Sequence, residues 1–167
     1  MTPLVAGLAA PFLVNTAIFL VAQFMRDNSI VDIGWGVLFI ASNLAALLYQ
    51  HDWDLSSWGL RQKVLFALIA VWGVRLSIHI GLRHKGEEDF RYQSMRRRWM
   101  AKGGQLYTHF MAFAYVFMMQ ACFSLMINAS SLHVMLNSKQ DQTLTLFDYI
   151  GIAIFTAGFL FETIADS

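Results

Sequence analysis

Little in this 167-residue chain suits a water-soluble domain. Charged residues make up 14% of it and hydrophobic ones 57%. Soluble domains carry about a quarter charged residues, so the balance places the chain in the membrane class. The one cysteine, Cys122, sits in an apolar run, which rules out a disulfide within the chain. No Pro-, Gly- or Ser-rich linker, low-complexity tract or internal repeat divides the sequence, so a single membrane domain over 1–167 is expected. No basic residue precedes the first apolar segment, which therefore reads as a retained span rather than a secretory signal or transit peptide. His51, His79, His84, His109 and His133 show no ligand spacing with Cys122 or with one another, so no metal site is expected. Nothing supports nucleic-acid binding, and the net charge of +1 excludes no partner by itself.

What the chain has instead is long apolar runs. Five segments of about 20 residues can cross a hydrocarbon core of roughly 30 Å. They cover about Leu4–Met25, Ile30–Tyr49, Val64–Leu82, Tyr107–Ile127 and Leu146–Ala165. The first contains Pro11 and Asn15, which a helix packed in a bundle tolerates far better than an isolated one. Between the third and fourth spans, "EEDFRYQSMRRRWMAK" places acids before bases, the order that suits a helix dipole, and Phe90, Met95, Trp99 and Met100 give it an apolar component. This predicts a helix lying on the membrane surface. The expected fold class is all-α, a polytopic membrane bundle of about five transmembrane helices plus one interfacial amphipathic helix.

The loop cations are unevenly divided. Arg26 in the first loop and Arg83, Lys85, Arg91, Arg96, Arg97, Arg98 and Lys102 in the third face Arg61, Lys63 and Lys139 on the other side. The positive-inside rule then predicts a cytoplasmic third loop and an amino terminus outside. With that topology Asp32, Arg75, His79, Glu162 and Asp166 gather near one depth. At about 100° per residue, Arg75, His79 and Arg83 share one face of their helix, and so do Glu162 and Asp166 on theirs. Arg83 and Asp166, nearest the helix ends, read better as solvated charges. Asp32, Arg75 and Glu162 are embedded in apolar sequence and read as paired, which is compatible with a purely structural role. Gly34 and Gly36 read as sites of close helix packing rather than as a dinucleotide fingerprint, since the third glycine is missing. Gln120 reads as a cross-helix hydrogen-bonding group that could also meet a ligand. Arg96, Arg97 and Arg98 read as contacts for lipid headgroups.

Four motifs in order, "RDNSIVDIGWG" (26–36), "WGVRLSIHIGLR" (72–83), "KGEEDFRYQSMRRRW" (85–99) and "FETIAD" (161–166), make the chain similar to the steroid 5α-reductase-like membrane family, in its bacterial-type branch of uncharacterised proteins. The resemblance covers nearly the whole chain. It implies NADPH as cofactor, bound from the cytoplasmic side, and reduction of a conjugated C=C bond in a hydrophobic, lipid- or steroid-like substrate. It also implies Arg75, His79, Arg83, Asp32, Glu162 and Asp166 as cofactor-binding residues, the arginines toward phosphate. No catalytic residue is assigned. Family members continue past the "E..AD" motif into a "GLW.YSRHPNYFGE"-like motif and further helices, so the chain is expected to be the amino-terminal portion of a longer reductase-like domain. Two alternatives stand beside the reductase: a non-catalytic scaffold or accessory subunit with membrane protein partners, and an isoprenylcysteine-methyltransferase-like enzyme.

Overall fold

The computed structural model describes residues 1–84 and 86–166. Lys85, counted above among the third-loop cations, and Ser167 lie outside the described residues. Helix α1 (Pro3–Met25) starts where the Thr2 hydroxyl accepts the Val5 N–H at 3.3 Å and Pro3 occupies a first-turn position that needs no N–H partner. It stops at Arg26, whose left-handed backbone (φ 58°, ψ 35°) turns its own N–H back onto the Ala22 and Gln23 carbonyls. Helices α2 (Ile30–Gln50), α3 (Leu60–Arg83), α4 (Phe90–Met111), α5 (Met119–Asn137) and α6 (Leu146–Ala165) follow. A π-helical segment, Ala112–Met118, joins α4 to α5. There is no strand among the described residues.

Five helical stretches are long and apolar enough to cross a membrane: α1, α2, α3, the run Phe90–Asn137 and α6. The expected all-α polytopic bundle is therefore the fold. The fourth span, expected at Tyr107–Ile127, instead extends to Asn137. At its other end Gly104 takes φ 71°, ψ −165°, a conformation open to glycine, and breaks the helix between the polar residues 90–103 and the apolar ones beyond. Asp89 caps the surface portion by accepting the Arg91 N–H at 2.9 Å, and the Arg91 side chain holds this carboxylate below its usual range.

α2 is the axis of the bundle, packed against α1, α3 and α5. Its contact with α3 is a glycine pair, Gly36 on Gly73, where the two backbones nearly touch. Its contact with α1 makes use of Pro11. A proline has no N–H to give the carbonyl four residues back, and that carbonyl, Gly7 O, accepts the Ser42 hydroxyl at 2.8 Å. Asn128 on α5 donates to Ser42 at 3.1 Å and accepts from Asn43 at 2.8 Å, so one buried chain of hydrogen bonds links α1, α2 and α5. Asn15 donates to the Phe117 carbonyl at 2.6 Å and ties α1 to the π-helical segment. Beyond the opposite end, buried Gln62 accepts from Gly59 N–H at 2.8 Å and donates to Met135 O at 2.7 Å.

Candidate functional site

The polar side chains converge at the end of the bundle where α1 meets α2 and α3 meets α4. Arg75, from the second half of α3, donates through Nη1 to Glu162 Oε1 at 2.8 Å and through Nη2 to Asp166 Oδ2 at 2.6 Å. Its guanidinium also lies over the Phe159 ring, 5.5 Å from the centroid. His79 Nε2 sits between Arg83 Nη1 (3.3 Å) and Asp166 Oδ2 (3.7 Å). The i, i+4 spacings on α3 and α6 thus bring together five of the six residues singled out from sequence. Asp166, which also read as a solvated end charge, is a direct partner of Arg75.

Asp32 belongs to a different group. Its Oδ1 accepts the Tyr92 phenol at 2.8 Å and lies 3.5 Å from Gln120 Nε2, while Arg91 approaches Oδ2 at 3.4 Å. Tyr92 is 8% exposed, and Gln120 Nε2 is 3.4 Å from its oxygen. Gln120 does bond across helices, as its sequence position suggested. Its Oε1 is buried with no hydrogen-bond partner among the described residues. These groups open onto a cleft of about 710 Å³ walled by Trp35, Ile80, Met95, Tyr115, Met119 and Phe123. Three of these, with Gln120, come from the π-helical segment and the turn after it. A π-bulge shifts the helix face by a fraction of a turn, and such bulges recur at functional sites.

A third group fixes the other two relative to each other. Asp27 in the first loop accepts the Ser29 N–H at 2.9 Å and lies 2.8 Å from His84 Nε2. Glu88, from the third loop, accepts the Asn28 N–H at 2.9 Å and is gripped by Arg96 through Nε (3.0 Å) and Nη2 (2.7 Å). Arg96 also donates to Arg26 O at 2.9 Å, and His109 Nδ1 lies 2.6 Å from Gln23 Oε1. Arg96 is therefore committed inside the protein, which corrects its grouping with Arg97 and Arg98 as a headgroup contact. A bidentate carboxylate competes better than a solvated lipid phosphate for a guanidinium already oriented by its helix. This latch holds the surface helix over the mouth of the α1–α2 turn, and with it places Tyr92 against Asp32.

Tyr92 is not legible in the sequence as a candidate site residue. It stands in a surface helix among charges, and the only cue to its burial is that it shares a face with Met95 and Trp99, which pack with it against Val116 and Phe117. Asp27, Glu88 and His84 were equally silent, because loop charges ordinarily read as solvated.

Comparison with known proteins adds a family and one distant relative. The family described as "Protein of unknown function (DUF1295)" matches residues 18–167. An uncharacterized protein of Schizosaccharomyces pombe is 25% identical over 170 residues, a match that takes in 98% of this chain and 46% of the yeast protein. The chain thus spans a little under half the length of that curated relative. No solved structure matches.

Proposed function

This chain belongs to the DUF1295 family, and from that premise we propose that it forms part of a membrane-embedded, NADPH-dependent oxidoreductase that reduces a conjugated C=C bond in a hydrophobic, lipid- or steroid-like substrate. The observation that carries this reading is the Tyr92 phenol, buried and oriented by Asp32 at the polar end of an apolar cleft. Reduction of a conjugated enone needs a donor on the carbonyl oxygen, because that oxygen gains negative charge as the double bond is reduced. A phenol is neutral near pH 7, its ordinary pKa being about 10. Asp32 accepts the phenol's hydrogen; a substrate carbonyl reaching the Tyr92 oxygen from the cleft would take that hydrogen bond over, and Gln120 Nε2, 3.5 Å from Asp32 Oδ1, offers the carboxylate a donor in its place.

NADPH, when bound, would supply the hydride to one alkene carbon, and water would supply the proton that the other carbon takes up. The donor set beside Asp166 fits its polar parts. Arg83 and His79 offer N–H groups to phosphate, Arg75 keeps N–H groups beyond the two spent on carboxylates, and Glu162 with Asp166 can accept from ribose hydroxyls. The two carboxylates offset the arginines' charge, so binding rests on oriented hydrogen bonds more than on net attraction. The reading includes the topology with the third loop in the cytoplasm, where the cofactor is found. Labelling of a single cysteine placed in that loop, in a Cys122→Ser background, only from the non-cytoplasmic face would overturn it.

The direct test is energy transfer from the protein's tryptophans to the NADPH nicotinamide. Saturable binding is expected, with Kd raised roughly tenfold by Arg83→Ala, the loss of about one charge-assisted hydrogen bond. Arg75→Ala weakens binding and also leaves Glu162 and Asp166 without their partner, so α6 should detach from α3. The readout is loss of disulfide crosslinking between cysteines at Trp72 and Phe155, which line one crevice. Absence of saturable NADPH binding by the wild-type protein sinks the reductase and leaves the membrane scaffold and the methyltransferase-like enzyme.

A further inference from the structure

The part of α4 that precedes Gly104 carries five cations and no acid. The acids that reach it come from elsewhere in the chain and are spent on two of the five. Glu88 grips Arg96, while Asp89 and Asp32 approach Arg91. Arg97, Arg98 and Lys102 are exposed and have no ion pair among the described residues. Arg97 donates only to Gln93 Oε1, at 3.2 Å, and Lys102 lies over the Tyr107 ring. At about 100° per residue these three cations point away from the face of Tyr92, Met95 and Trp99, which packs on the core. A fourth exposed cation, Arg26, borders them, because its carbonyl accepts Arg96 Nη2 at 2.9 Å.

Two contacts fix the depth of this basic face. Helix α1 stays predominantly apolar to Met25, with Leu20, Val21, Phe24 and Met25 exposed, and Arg26 follows at once, where the hydrocarbon must end. Arg96 is bonded to that residue, so its neighbours Arg97 and Arg98 lie at the same level. Toward the other end, His109 Nδ1 meets Gln23 Oε1 at 2.6 Å, which sets the fourth span beside the last turn of α1. The Gly104 break comes more than a turn before His109, so Lys102 stands outside the apolar part of that span, whose exposed Leu106 and Phe110 lie beyond the break. The helix therefore follows the boundary of the hydrocarbon, and its unmatched cations are at the height of lipid phosphates. Choline cancels the charge of a zwitterionic headgroup, whereas a headgroup of net negative charge complements these residues.

We propose that Arg97, Arg98 and Lys102, with Arg26 beside them, bind the phosphates of anionic phospholipids in the leaflet at this end of the bundle. The surface is separate from the Asp32 cleft and does not depend on the reductase reading.

The test is native mass spectrometry of the intact chain released from nanodiscs made of equal parts phosphatidylglycerol and phosphatidylcholine. Retained phosphatidylglycerol is expected to exceed phosphatidylcholine at least roughly tenfold. Arg98→Gln alone should lower that preference roughly fivefold, the effect of one cation beside an anionic leaflet. Arg97→Gln, Arg98→Gln and Lys102→Gln together should bring it close to parity. Arg97→Lys with Arg98→Lys keeps the charge and should keep the preference. Lys63→Gln with Lys139→Gln removes exposed cations at the other end of the bundle and should leave it unchanged. If the triple variant does not fold, Arg98→Gln decides. Equal retention of the two lipids by the wild-type protein, or a loss in the Lys63/Lys139 variant as large as in the triple variant, overturns the site. Displacement of phosphatidylglycerol by millimolar inorganic phosphate would make the occupant a soluble phosphate and overturns the lipid assignment.

Discussion

Gly36→Val is expected to destabilise the bundle by about 3 kcal/mol or more, the upper part of the range for overpacked sites. A Cβ at Gly36 would lie 2.7 Å from Gly73 Cα and 2.8 Å from its carbonyl carbon, and closer still to the carbonyl oxygen. These are backbone atoms, so no side-chain rotation relieves the clash, and α2 and α3 must part along their length. Gly73→Val should behave alike, since its Cβ would meet Gly36 O at 2.8 Å. Gly158→Val is the control, because a Cβ there meets nothing within 4 Å. Thermal unfolding in detergent, followed by size-exclusion chromatography, reads all three. A Gly36→Val protein as stable as the Gly158→Val protein would show that α2 and α3 are not in this contact.

On the proposed reductase reading, Tyr92→Phe is expected to lower turnover of a conjugated enone by 10²- to 10³-fold, roughly the range for loss of one oriented donor to a developing oxyanion. KM should change little, because the phenol's bond to the carbonyl gains most of its strength as charge develops. Asp32→Asn keeps a hydrogen-bonding partner for the phenol and should cost less than Tyr92→Phe. The two effects should not add, since Asp32 acts through Tyr92. A Tyr92→Phe variant with unchanged kcat and raised KM would make the phenol a binding group only. In parallel, Glu88→Gln weakens the grip of Arg96 on the third loop and should loosen the surface helix that carries Tyr92.

The membrane class, the five apolar spans, the helix over the polar residues from 90 onward and the α3–α6 ion stripe were all legible in the linear sequence. Each rests on local periodicity. A bilayer forces every backbone group to be satisfied within its own helix, so a run of about 20 apolar residues has one spanning conformation open to it, whatever its neighbours do. Likewise Arg75, His79 and Arg83 share a face through their spacing alone, as do Glu162 and Asp166.

Which helix would lie beside which was not written locally. Tyr92 and Asp32 stand 60 residues apart and meet because the Glu88–Arg96 latch pins the third loop to the first. In the sequence Arg96 read as a headgroup contact and Asp27 and Glu88 carried no assignment; only their partners in the folded chain show otherwise. The sequence by itself determined a bundle of membrane helices with charges facing one another at one end. Tertiary packing alone decided that Asp32 would pair with a phenol rather than with Arg75. Hydrophobic burial is non-directional and cannot select partners among apolar helices; close glycine contacts and buried hydrogen bonds, formed only once the helices are together, make that selection.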